Sequence, residues 1–200
     1  MKKKFISINN KEEYDKFLNK LSLYKSIFYF NTRFVVKYSL NDEMIDYIIK
    51  GLNLKNRKKR IEYIYDVSCK IIDDSVGKTN ICGFKNGKCY VQRKLKDSNC
   101  NGCCRKCLYQ TNKGCSSKNL SCKLYNCSEV KKRYKVIEFE DLKILRLLSL
   151  KNQFLIKSDY FIKREDFLKD LYTFTLTYAA IRIFFRLIRN SILFNLKSRK

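Results

Sequence analysis

Nine of the ten cysteines fall between residues 82 and 127, at positions 82, 89, 100, 103, 104, 107, 115, 122 and 127, while Cys69 stands apart. No other feature narrows the fold as much. Thiols this dense are paired as disulfides, bound to metal, or packed as small apolar groups, and each outcome demands a different backbone. The chain has no histidine. A metal site here is therefore built from thiolates, carboxylates or carbonyls, and the usual neutral-pH acid–base residue is missing.

Compartment narrows the choice. The N-terminal MKKKFISINNKEE starts basic, but its apolar patch is too short for a secretory signal. No uninterrupted apolar run approaches the roughly 20 residues of a spanning helix. The expectation is a cytoplasmic chain, where thiols stay reduced and clustered cysteines serve as ligands more often than as disulfides.

Within the cluster, CNGCCRKC at 100–107 carries the strongest signal. Two residues separate Cys100 from Cys103 and Cys104 from Cys107, a spacing that clamps one tetrahedral metal or one edge of an iron–sulfur cluster. Adjacent Cys103 and Cys104 point apart in most backbone conformations, so they serve different centres or one is not a ligand. Upstream, Asn86-Gly87 lies between two β-capable runs and predicts a type I′ hairpin that draws Cys82 towards Cys89. Cys115, Cys122 and Cys127 complete the candidate ligands. The expectation is one or two centres holding zinc or a [4Fe–4S] cluster, with the partition of thiolates left open by the spacing.

Cys100, Cys103, Cys104, Arg105, Cys107, Cys115 and Cys122, in this order, resemble the CxxCxxCC zinc- or iron-chelating cysteine-cluster family. That family shows a Cys-Cys-Arg step and a closing Cys-Arg-x-aromatic element, here matched by CKLY at 122–125. The chain departs from it in lacking the Arg-Pro before the last cysteine and in carrying Cys82, Cys89 and Cys127 besides. The resemblance implies metal chelation and no particular reaction.

Charge raises a second possibility. The formal net charge is +25, which points to a polyanion partner such as nucleic acid. Between 82 and 127 there are ten Lys or Arg against one acid, Asp97, and part of that excess offsets thiolate charge. Outside the cluster, KNRKKR at 55–60 and KKRYK at 131–135 remain, making Arg57, Lys58, Lys59, Arg60, Lys131, Lys132 and Arg133 candidate polyanion contacts. A nucleic-acid-binding module with a metal-stapled fold is therefore the alternative to a structural or sensory metal protein. An iron–sulfur redox enzyme ranks last, because the chain offers neither a histidine nor a glycine-rich cofactor loop.

The remaining sequence predicts a mostly α protein: a helical part over 1–78, a cysteine module over 79–130 with a small irregular or β-hairpin core, and a helical part over 131–200 that joins the first in one compact unit. Asn10 with Glu13 predicts a helix start. Asn41 with the acids that follow predicts another. Ile61, Ile64, Tyr65, Cys69 and Ile72 share one helical face, so Cys69 reads as a buried core thiol. SIFYFNTRFVVKYS at 26–39 reads as a hairpin, and 139–150 as a helix. The stretch 171–196 carries Arg182, Arg186 and Arg189 on one stripe but is apolar round most of its circumference. That predicts a helix packed inside a bundle, ahead of a partner or dimer interface and, last, a membrane surface.

Overall fold

A computed structural model describes residues 2–27, 32–76, 81–83, 85–86, 88–94, 109–111, 114–115, 119–160 and 162–198. The protein is mostly helical and divides into two units, each assembled from two stretches of chain. The first comprises Met1–Ser68 with Phe139–Gln153, the second Cys69–Glu138 with Phe154–Lys200.

The first unit opens with a strand, β1 (Lys2–Ile8), followed by helices α1 (Lys11–Asn19) and α2 (Leu21–Ile27) and a second strand, β2 (Thr32–Tyr38). The two strands run parallel, from Lys2 opposite Thr32 to Ile8 opposite Tyr38. The hairpin expected over 26–39 is therefore not formed by Thr32–Tyr38, which pairs with the N-terminus instead. Two helices lie between the strands, as a parallel crossover requires. Asn10 caps α1 as expected: Glu13 N donates to Asn10 Oδ1 at 2.9 Å, while the Glu13 carboxylate reaches one residue beyond the cap and accepts from Asn9 N at 2.7 Å.

Helix α3 (Glu43–Asn53) is capped by Asp42, whose Oδ1 accepts from Met44 N at 2.9 Å, rather than by Asn41. At its other end the Asn53 amide acts as a short strand. It accepts from Phe34 N and donates to Phe34 O, both at 2.9 Å, and so occupies part of the open edge of β2. Helix α4 (Arg57–Val76) buries Ile61, Ile64, Tyr65 and Ile72 as its periodicity predicts, but Cys69 is only half-buried.

The stretch 139–150 is not an α-helix. It forms two 3₁₀ turns, Phe139–Asp141 and Lys143–Leu147. Leu142, Leu145 and Leu148 are spaced by three, and in a 3₁₀ turn such residues eclipse on one side. All three are buried, with Leu145 N donating to Leu142 O and Leu148 N to Leu145 O. Gly51 permits this segment to approach α3, since a Cβ there would lie 2.8 Å from Leu147 Cδ1.

The second unit contains the short helices α5 (Tyr90–Lys94), α6 (Leu120–Leu124) and α7 (Ser128–Arg133). It also holds a two-residue antiparallel pair, Gln110–Thr111 with Gly114–Cys115. Helix α8 (Leu150–Ser158) leads into it, and α9 (Arg164–Tyr172) and α10 (Leu176–Ser198) close the chain. Its buried residues include Leu155, Ile156, Ile162, Phe167 and Leu171.

The expectation that 171–196 is a core helix does not hold. Along α10 only Ala179 and Arg186 are buried among the described side chains, while Leu176, Ile181, Phe184, Phe185, Leu187, Ile188, Ile192 and Leu193 are exposed. Arg186 and, in part, Arg182 face inward, Arg189 is exposed, and the large apolar residues face outward.

Candidate functional site

The hairpin ahead of the cysteine cluster forms as its turn residues dictate. Lys85 N donates to Lys88 O at 2.9 Å, and Lys88 N to Lys85 O at 3.1 Å. Asn86 between them has φ 51°, the left-handed conformation a type I′ turn needs. Beyond this isolated bridge the arms are held, among the described residues, by one further backbone bond, Tyr90 N donating to Cys82 O at 2.9 Å. Cys82 and Cys89 thus sit on opposite arms, Cys82 exposed and Cys89 buried. Gly83 takes φ 56°, and its carbonyl accepts from Arg93 Nη2 at 2.6 Å. Cys89 heads α5, with its N–H donated to Gln92 Oε1 at 3.0 Å.

The downstream arm is anchored at several points. Asn119 is fully buried; it caps α6 by accepting from Ser121 N at 3.0 Å and donates to Ile162 O at 3.3 Å. Lys123 pairs with Asp73 at the end of α4. Half-buried Cys122 lies on α6, and half-buried Cys127 immediately precedes α7. Burial raises the Tyr160 pKa, and the negative charge of a Cys122 thiolate raises it further. The Tyr160 ring also meets Tyr125 at 4.7 Å between centroids. The two arms are linked where the Arg133 guanidinium stacks 4.1 Å from the Tyr90 ring centroid.

Cys100, Cys103, Cys104 and Cys107 lie outside the described residues, as does the side chain of Cys115. Among the described residues no three metal-ligating side chains come together. Of the candidate ligands of a four-thiolate centre, only Cys82, Cys89, Cys122 and Cys127 have side chains among the described residues. The donor set fits such a centre chemically, because thiolates suit both zinc and iron–sulfur clusters.

The basic runs are partly occupied by their own neighbours. Lys131 pairs with Glu138 at 2.8 Å, a hydrogen bond that raises its pKa, and Lys132 pairs with Glu129 at 3.0 Å. Arg133 stacks on Tyr90 and donates from Nε to Glu129 O at 2.9 Å. In the other run, Arg60 donates to Leu54 O at 3.0 Å, and burial lowers the Arg57 pKa. Lys58 and Lys59 are exposed.

A second constellation was not legible in the sequence. Arg186, only 9 % exposed, donates from Nη2 to both oxygens of Asp159 at 2.8 and 2.7 Å, and from Nη1 to Asp170 Oδ2 at 2.6 Å. Arg182 Nε donates to Asp170 Oδ1 at 2.5 Å. Two guanidiniums and two carboxylates make a cluster with no formal net charge, joining the end of α8, α9 and α10. The arginine spacing is visible in the sequence, but neither aspartate announces itself as its partner.

Burial, with the nearby Asp170 charge adding to it and Arg186 opposing it, pushes the Asp159 pKa up to about 6. Between its ordinary value and 6 the folded state binds more protons at this group than the unfolded state. Its effect on stability is therefore most favourable below about pH 4 and is lost as pH rises through 6. By this group alone, unfolding free energy is expected to fall by about 2–3 kcal/mol over that window. Denaturant titrations of wild type and Asp159→Asn at pH 4, 5, 6 and 7 isolate the contribution. If both chains follow the same pH curve, the buried carboxylate does not titrate in this range.

Comparison with family models, with curated proteins and with solved structures finds no match to this chain.

Proposed function

We propose that residues 82–127 bind metal through cysteine thiolates, as zinc or as a [4Fe–4S] cluster, in a structural or sensory role. The observation that carries this reading is nine cysteines within one short segment of a chain without histidine. Cys100, Cys103, Cys104 and Cys107 are the core ligands, completed from Cys82, Cys89, Cys115, Cys122 and Cys127. The likeness to the CxxCxxCC cysteine-cluster family supports it. Further support comes from the two anchored arms, which hold both flanks of 95–118 in the same unit through Arg133 on Tyr90 and Lys123 with Asp73. A bound metal supplies folding free energy to a segment whose sequence offers few apolar residues besides its cysteines.

Anaerobic purification followed by metal and sulfide analysis and an absorption spectrum tests the proposal. Zinc at one or two per chain in a colourless protein supports a structural staple, and iron with sulfide and a broad band near about 400 nm supports a cluster. Metal-free protein with titratable thiols overturns the reading. Nucleic-acid binding has less to stand on, because much of 131–133 is already paired within the chain.

A further inference from the structure

Helix α10 presents an inverted surface. At about 100° per residue, Leu187, Phe184, Ile188, Ile181, Ile192 and Phe185 follow one another round its outward side, and each is between 44 % and 66 % exposed. From Leu176 to Tyr178 this arc spans about 200° and contains no charged residue. The cations lie on the other side, with Arg182 and Arg186 tied to Asp170 and Asp159. Arg189 marks the boundary. It lines a cleft of about 380 Å³ together with Tyr178, Ile181, Arg182 and Phe185, and with Asp166 as its one acid-bearing wall residue.

We infer that α10 docks onto an anionic lipid surface, lying in the interface plane with its outward arc among the acyl chains. Three observations choose this occupant over a second copy of the chain. The net charge of +25 is attracted to an anionic bilayer, whereas two such chains repel. An arc this broad is only half covered by one partner helix, whose seam is narrow, but is covered wholly by lipid. Arg189 and the exposed part of Arg182 stand where the arc ends, at the depth at which phosphate headgroups meet a helix lying in the interface. Among the described residues no helix is long and apolar enough to cross a membrane, so the contact is with one face of the bilayer.

Vesicle flotation with the full chain tests this, using phosphatidylcholine alone and phosphatidylcholine with phosphatidylserine. Retention on the anionic vesicles alone is expected, weakening as salt is raised. Phe184→Ser with Ile188→Ser is expected to lower partitioning at least about tenfold. The chain contains no tryptophan, so Phe184→Trp gives a single reporter that keeps the surface apolar. Its emission is expected to shift to the blue and to be quenched by brominated lipid. No flotation at low salt, or undiminished flotation of the double-serine variant, overturns the proposal. Indole emission of the Phe184→Trp chain that stays unchanged on adding anionic vesicles overturns it as well. A dimer in sedimentation that the double-serine variant dissociates would assign the face to a second copy instead.

Discussion

Asp170→Ala is expected to destabilise the second unit by about 3 kcal/mol and to loosen α10 before anything else unfolds. Asp170 is fully buried and is the only residue that holds both Arg182 and Arg186 among the ion pairs described. Removing it leaves Arg186, itself 9 % exposed, with Asp159 alone to balance it. Arg182 can turn to solvent, but Arg186 cannot do so without moving the helix. The usual remedy, more apolar contact, is scarce, since among the described side chains of α10 Ala179 is the one buried apolar residue. The charge cluster is thus a large share of what fastens this helix to its unit.

The loss corresponds to a fall of roughly 10–20 °C in the melting temperature of a unit this size. Hydrogen exchange along 176–198 reads the loosening directly. Combining Asp170→Ala with Arg186→Met and Asp159→Asn should restore much of the stability, because no buried charge is then left without a partner. A single variant that melts within a degree or two of wild type would show that the cluster contributes nothing net.

Replacing Cys100, Cys103, Cys104 and Cys107 together by serine is the second large effect. Bound metal is expected to fall to background, and the second unit is expected to lose its cooperative transition. Apparent binding free energies for structural zinc reach about 10–16 kcal/mol, as large as the whole stability of a typical domain of about 5–15 kcal/mol. A chelator added to the native protein should reproduce the effect. Cys69→Ser is the control: this thiol lies on α4 outside the cluster, and its loss should leave the metal content unchanged. Full metal retention by the fourfold variant would move the ligands elsewhere and sink the assignment.

Local chemistry was readable from the residues. The Asn10 and Glu13 side chains bond to backbone within four residues, so this helix start needs no tertiary partner. Asn86 adopts its positive φ because the Asn-Gly turn and its two lysine neighbours suffice. The spacing of Leu142, Leu145 and Leu148 was equally visible, yet threefold spacing serves both an α-helix and a 3₁₀ turn. Only packing against α3, allowed by Gly51, separates the two. The cysteine segment is legible in the opposite sense: the ligand chemistry proposed for it rests on composition, while any partition of thiolates depends on where the chain carries them.

By itself, then, the sequence determined the helical character of the chain, its caps and hairpin turn, and the thiol-rich, histidine-free chemistry of 82–127. Each rests on residues close in sequence, where propensity and hydrogen-bond geometry act without help. The tertiary structure alone decided that Thr32–Tyr38 pairs in parallel with Lys2–Ile8. It alone decided which side of α10 faces inward. Burial of apolar area alone would have turned the uncharged arc of this helix inward. The choice fell to Asp159 and Asp170, whose buried carboxylates drew Arg182 and Arg186 inward and left the apolar side outermost.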